Sequence, residues 1–129
     1  MCGIVGIIDP LNKFENKKKI IQDLNDSQYH RGPDDHGYYN ETYLSLGFRR
    51  LSIIDLEKGN QPIIKEHVVT IFNGEIYNYL DLKKELTALG AKFETQSDSE
   101  VVANAFLFWG IECLQKFDGM FAICFYDKR

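Results

Sequence analysis

Val68-Val69-Thr70-Ile71-Phe72-Asn73-Gly74-Glu75-Ile76-Tyr77-Asn78 starts as a β-branched run and breaks off at Asn73-Gly74. Asn-Gly after a strand is the strongest short-range hairpin signal. The residues that follow do not alternate back into a partner strand. They lead to Asn78, a candidate N-cap, and then to Leu82, Leu86 and Leu89 on one side of a helix that Gly90 stops. A strand that passes into a helix argues against an all-β chain, and the segments on either side repeat the alternation.

Upstream, Gly3 to Asp9 reads as a buried strand ended by Asp9-Pro10. Asn16 to Gln28 reads as a helix with Ile20, Ile21 and Leu24 on one face. His30 to Asp35 is a loop in which Pro33 holds Gly32 extended. Thr42 to Phe48 and Leu51 to Asp55 are short β-like runs, and Glu57 to Pro62 is a turn region. Downstream, Ala91 to Thr95 reads as a strand. Ser97-Asp98-Ser99-Glu100 matches a capping box before a helix carrying Val101, Val102, Ala105, Phe106 and Trp109. A short helix from Ile111 to Phe117 and a strand from Met120 to Tyr126 follow. Strands interleaved with paired helices imply an α+β domain whose sheets bury faces against each other and against helices. The last strand has only three residues after it, so the chain is expected to be cut from a longer protein.

The 129 residues fit one domain, and 44% hydrophobic with 26% charged residues is a globular composition. The net charge is −4 and the basic residues are not massed, so no nucleic-acid partner is expected. Lys17-Lys18-Lys19 reads as the solvated face of a helix. No apolar run reaches the ~18 residues of a membrane span. Without a signal sequence or a disulfide framework among Cys2, Cys113 and Cys124, a cytoplasmic location is expected. His30, His36 and His67 show no metal-ligand spacing, so no metal and no cofactor is expected in this domain.

Four features could carry chemistry, and each has a plainer reading beside it. Cys2 becomes N-terminal if Met1 is removed. An α-amine titrates at ~7.7–8.0, so it can take the proton of a thiol on its own residue near neutral pH. The plainer reading is a small core residue at a strand start. Asn73-Gly74 could aim a side-chain amide and a backbone N–H at a developing oxyanion, or could simply be a turn. Arg50 could hold a carboxylate through paired bonds, or be an edge charge. Asp98 could bind an ammonium, or could favour the helix dipole in a first turn. Cys113 and Cys124 lie in apolar runs and read as core.

In order along the chain, six blocks resemble one family. They are Met1-Cys2-Gly3-Ile4-Val5-Gly6, His30-Arg31-Gly32-Pro33-Asp34, Arg50-Leu51-Ser52-Ile53-Ile54-Asp55, Asn73-Gly74-Glu75-Ile76-Tyr77-Asn78, Ser97-Asp98-Ser99-Glu100 and Asp118-Gly119-Met120-Phe121-Ala122. The family is the class II glutamine amidotransferases, in the branch of the asparagine synthetase glutaminase domain. The resemblance implies an N-terminal nucleophile hydrolase, a four-layer αββα sandwich, truncated on its C-terminal side. It implies that Cys2 attacks the side-chain amide of glutamine while Asn73 and Gly74 stabilise the oxyanion. It implies that Arg50 holds the α-carboxylate and Asp98 the α-ammonium. Glu75 helps to seat the same end, and the backbone of Leu51, Ser52, Ile53 and Ile54 lines the pocket. ATP and magnesium belong to the synthetase domain, which is absent from these residues and is the implied partner, along with glutamine and a possible homodimer. Two alternatives stand: a related amidotransferase with another acceptor, and a non-catalytic module if Met1 is retained.

Overall fold

The computed structural model describes residues 2–52 and 60–129. In chain order the strands and α-helices are β1 (Gly3–Ile8), α1 (Lys17–Ser27), β2 (Asp35–Asn40), β3 (Leu44–Arg50), β4 (Ile63–Lys65), β5 (Val68–Ile76), α2 (Tyr79–Ala88), α3 (Asp98–Trp109) and β6 (Gly119–Asp127). Two 3-10 turns, Tyr29–Arg31 and Gly110–Lys116, complete them. One antiparallel sheet has the order β1-β3-β2 and the other β4-β5-β6.

Strand alternation explains the layering. Leu44, Leu46 and Phe48 of β3 and Val69 and Ile71 of β5 form one buried cluster between the sheets. Phe72 and Ile76, on the opposite face of β5, join Leu82 and Leu86 of α2 and Val101, Val102 and Ala105 of α3 in a second cluster. On the far side of the first sheet, α1 packs on β1 and β3. The layers are therefore helix, sheet, sheet, helix, the αββα sandwich expected. Leu86 is fully buried, so truncation to Ala there costs ~2–5 kcal/mol.

Several local expectations give way to tertiary partners. Asn73-Gly74 does not end its strand. The backbone of β5 stays extended to Ile76 because β6 pairs with it throughout, from Val68↔Asp127 to Ile76↔Gly119. Gly74 has φ +153°, and a Cβ there would lie 2.1 Å from the Met120 carbonyl oxygen, so only glycine fits this rung. Ala91 to Thr95 is not a strand. The N–H groups of Glu94 and Thr95 donate to the Glu100 carboxylate instead, at 2.7–3.1 Å. That also makes the capping box one-sided: Ser97 Oγ accepts from Glu100 N–H at 3.3 Å, while the Glu100 side chain serves the preceding loop. Burial pushes the Glu100 carboxyl up, but Lys65 at 2.6 Å, the Thr95 hydroxyl and those N–H groups outweigh it and hold the group below its usual range.

Asn78 does not cap α2 with its side chain. It bonds the Lys116 carbonyl and the Asp118 N–H, pinning the α2 entry to the start of β6. Leu24 and Leu89 are exposed, and buried Asn25 stands in the α1 interface, donating to the Phe48 carbonyl at 3.2 Å. Leu51 and Ser52 are not in a strand. Ile53 to Asp55 and Glu57 to Gly59 lie outside the described residues. The short helix expected over Ile111 to Phe117 is the 3-10 segment Gly110–Lys116. Strands β2 and β4 have no counterpart in the sequence expectations. Among the described residues no helix is long and apolar enough to cross a membrane.

Candidate functional site

Where β3 and β5 end beside the start of β1, the two sheets part around a cavity of about 250 Å³. Its lining includes Cys2, Arg50, Leu51, Asn73, Gly74, Glu75 and Asp98. Residues from four separate sequence blocks thus meet in one place. Of the expected site residues, Ser52 is not in the lining, and Ile53 and Ile54 lie outside the described residues. Among the described residues no group of three or more His, Cys, Asp or Glu is placed to hold a metal ion.

Cys2 precedes β1 and is half-buried. Its Sγ accepts from the Leu51 N–H at 3.3 Å and lies 3.7 Å from the Leu51 carbonyl oxygen. The thiol thus bonds to main chain while the side chain packs at the edge of the inter-sheet cluster. Burial pushes the Cys113 thiol up to about 11 and raises the Cys124 thiol as well. Both remain protonated at neutral pH.

Asn73 lies on the inter-sheet face of β5, the face that carries Val69 and Ile71. Its Oδ1 is buried and has no hydrogen-bond partner among the described residues. A buried amide atom left unpaired costs ~1–3 kcal/mol. Rotation of the amide presents either its oxygen or its NH2 to the cavity, so this group is equipped to meet a polar ligand atom. Gly74 follows in the same lining.

Arg50 is the last residue of β3 and is 5% exposed. Its Nη1 donates to Asn60 Oδ1 at 3.1 Å. The Arg31-Gly32-Pro33-Asp34 block frames it. Pro33 forms a parallel bridge with Arg50, Asp34 N–H donates to the Arg50 carbonyl at 3.0 Å, and Asp34 Oδ2 accepts from Ser52 N–H at 2.7 Å. Arg31 Nε donates to the Cys2 carbonyl at 3.2 Å, so the same loop also fixes the residue bearing the thiol. The sequence of this block does not by itself carry that role. The signal was Pro33, which marks a loop of fixed shape.

Asp98 opens α3 with 9% exposure, and its Oδ2 accepts from Ile76 N–H at 3.2 Å. Burial raises its carboxyl above the usual range, the charge of Glu75 adds to this, and backbone N–H groups oppose it. A raised folded-state value means that the fold binds this proton more tightly than the unfolded chain does. The resulting stability is present below the unfolded pKa and is lost as pH rises through the folded one. Ionisation of Asp98 therefore costs stability, as burial beside the charge of Glu75 dictates. Asp98→Asn is expected to leave the melting temperature at pH 7 equal or higher, with no gain at pH 3, and to raise the KM for an α-amino acid ligand by ~10–100-fold. Melting curves at the two pH values and steady-state kinetics check this. A fall in melting temperature at pH 7 means that the helix dipole is the larger effect.

The cavity thus offers one guanidinium, two carboxylates, an unpaired amide and a half-buried thiol. The family model for the glutamine amidotransferase domain matches residues 1–129. The chain is 43% identical over 133 residues to asparagine synthetase [glutamine-hydrolyzing] 1 of Bacillus subtilis, covering 100% of this chain and 21% of that one. It is 35% identical over 131 residues to asparagine synthetase [glutamine-hydrolyzing] 1 of Arabidopsis thaliana, covering 100% and 22%. The chain therefore spans about a fifth of the length of these relatives. Among solved structures, the allosteric regulatory enzyme of purine biosynthesis matches with a TM-score of 0.57 at 19% identity, over 98% of this chain and 29% of that one. The glutamine phosphoribosylpyrophosphate amidotransferase of B. subtilis, complexed with ADP and GMP, matches with a TM-score of 0.53 at 22% identity, over 65% and 21%. These two likenesses bear on the fold alone, the four-layer αββα sandwich. The whole length of the chain belongs to the glutamine amidotransferase domain family.

Proposed function

We propose that this domain hydrolyses the side-chain amide of glutamine through a thioester on Cys2, once Met1 has been removed. The observation that carries the reading is the convergence of Cys2, Arg50, Asn73, Gly74, Glu75 and Asp98 on one cavity of about 250 Å³. That is just under the ~300–1,000 Å³ of drug-sized pockets and suits an amino acid. Free glutamine carries a carboxylate, an ammonium and a neutral amide. Arg50 matches the first, Asp98 with Glu75 the second, and Cys2 with Asn73-Gly74 the third.

The free α-amine of Cys2 takes the thiol proton, and the sulfur attacks the amide carbon of the glutamine side chain. The carbonyl π pair moves onto oxygen, where the Asn73 amide and the Gly74 N–H stabilise it. The oxyanion collapses, the C–N bond breaks, and the protonated α-amine returns its proton to the departing nitrogen, which leaves as ammonia. Water, deprotonated by the same amine, adds to the thioester through a second oxyanion. Its collapse releases glutamate and the thiolate, which recovers the proton. Glutamate is refused because its carboxylate leaves amide-matched groups unpaired and sets a third negative charge beside Glu75 and Asp98.

In the full-length protein the ammonia passes to a synthetase part that amidates aspartate with ATP and magnesium. The support for that acceptor is the naming of the relatives as asparagine synthetases. No residue described here is assigned to ATP, to magnesium or to a homodimer contact. A related amidotransferase with another acceptor would use the same cavity. The test is glutamate release by the Met1-free full-length protein. The expected result is release of glutamate and ammonia in equal amounts, with added ATP and aspartate channelling the nitrogen into asparagine. Absence of glutamate release sinks the reading, and release without asparagine redirects it to another acceptor.

A further inference from the structure

Gln61 extends a β-ladder with its side chain. The pairs Ile63↔Thr70, Ile64↔Val69 and Lys65↔Val68 set the register of β4 on β5. Continued two residues outward, that register puts Gln61 opposite Phe72. The main chain of Gln61 does not make that rung. Its side-chain amide does: Nε2 donates to the Phe72 carbonyl at 3.0 Å, and Phe72 N–H donates to Oε1 at 2.6 Å. Both polar ends of a 9%-exposed side chain are thereby spent on one backbone residue. The Gln61 main chain is itself held, because a Cβ on Gly37 of β2 would fall 1.8 Å from the Gln61 carbonyl oxygen. Gln61 thus ties the first sheet to the edge of β5.

In an antiparallel strand the N–H and C=O of one residue point to the same edge, and the next residue points to the opposite one. Phe72 faces the β4 edge, through Gln61. Asn73 then faces β6, and Gly74 faces the β4 edge again. At Gly74 neither β4 nor Gln61 remains to take its N–H, and the cavity begins; Gln61, Phe72, Asn73 and Gly74 all line it. Among the described residues Gln61 is therefore the last rung on this edge of β5 before the cavity, and the Gly74 N–H points to that same edge.

We propose that Gln61 is a positioning residue for the oxyanion: by clamping the Phe72 peptide it fixes the direction of the Gly74 N–H and the start of the Asn73 side chain. The proposal rests on the glutaminase reading above. A shift of ~1 Å in such a donor matters more to the transition state than to the bound substrate, because only there does the oxygen carry full charge. Gln61 has no direct part in holding the α-carboxylate or the α-ammonium, so glutamine affinity is set elsewhere.

The experiment uses the Met1-free full-length protein with Gln61→Met, which keeps length and loses both bonds, and Gln61→Glu, which keeps an acceptor for Phe72 N–H but loses the donor. The expected result for Gln61→Met is a fall of ~10–100-fold in kcat for glutamine hydrolysis, with KM within about twofold. Gln61→Glu should fall between it and the unsubstituted protein. The rate of Cys2 alkylation by iodoacetamide, a displacement that forms no oxyanion, should stay within about twofold. A general loosening of the fold would move KM and the alkylation rate together with kcat. Parallel loss in all three readouts, an unchanged kcat, or loss of cooperative melting in both variants overturns the proposal. If the unsubstituted protein releases no glutamate, the glutaminase reading fails rather than the role of Gln61.

Discussion

Replacing Cys2 with alanine is expected to lower glutamine hydrolysis by roughly 10⁴-fold or more while leaving the fold and glutamine binding in place. The thiol contributes little to packing. It is half-buried at the edge of the inter-sheet cluster, and its hydrogen bonds are with the Leu51 main chain. Removing it deletes the covalent route itself, since no second thiol can substitute: Cys113 is fully buried and burial holds both it and Cys124 in the thiol form. A companion variant separates thiol from amine. Insertion of Lys between Met1 and Cys2 retains an intact thiol but converts the Cys2 nitrogen into an amide with no basic lone pair. General acid–base help is worth ~10²–10⁴-fold, so this variant should fall between the unsubstituted protein and Cys2→Ala. Glutamate release against time checks both. Equal activity in the insertion variant removes the amine from the mechanism.

Arg50→Ala is expected to raise the KM for glutamine by ~10²–10³-fold. A carboxylate held by a guanidinium through paired bonds gains charge-assisted hydrogen bonds, and truncating one partner of such a pair costs ~2–5 kcal/mol. At 1.4 kcal/mol per tenfold this spans the stated range. The frame around Arg50 supports a ligand role. Its main chain is fixed by Pro33 and Asp34, and Asn60 orients the guanidinium while leaving it in the cavity wall. Arg50→Lys should recover only part of the loss, because an ammonium cannot make the planar fork. Kinetics alongside thermal melting decide the matter. A large drop in melting temperature with unchanged KM makes Arg50 structural.

The parts of the fold visible in the sequence are those whose signals are local. The apolar run of β1, the leucine spacing of α2 and the Ser97 start of α3 each lie within a dozen residues, and each element forms. What escaped depends on partners far along the chain. Asn73-Gly74 reads as a turn until β6, some fifty residues later, pairs with it as a strand. Strand β2, Asp35–Asn40, carries His36, Gly37 and two tyrosines rather than a β-branched run, and it is defined by its register on β3. Strand β4 is three residues long, below the length at which alternation can be seen. Buried Asn25 looks polar and exposed until the Phe48 carbonyl is known to face it.

The candidate site divides in the same way. Cys2, Arg50, Asn73, Gly74, Glu75 and Asp98 were named from motif order, and the fold gathers them into one cavity. The residues that hold them were not legible. Arg31 on the Cys2 carbonyl, Asn60 on Arg50 and Gln61 on Phe72 act through one or two side-chain bonds between segments that no periodicity links.

The central claim, that Cys2 is an N-terminal nucleophile serving a glutamine pocket, is tested most directly by intact-mass measurement of the full-length protein before and after treatment with a glutamine analogue bearing a thiol-reactive electrophile. The expected result is a starting mass without Met1, one adduct per chain located on Cys2, and protection by excess glutamine. A chain that retains Met1 and takes no adduct, or an adduct that glutamine does not prevent, contradicts it.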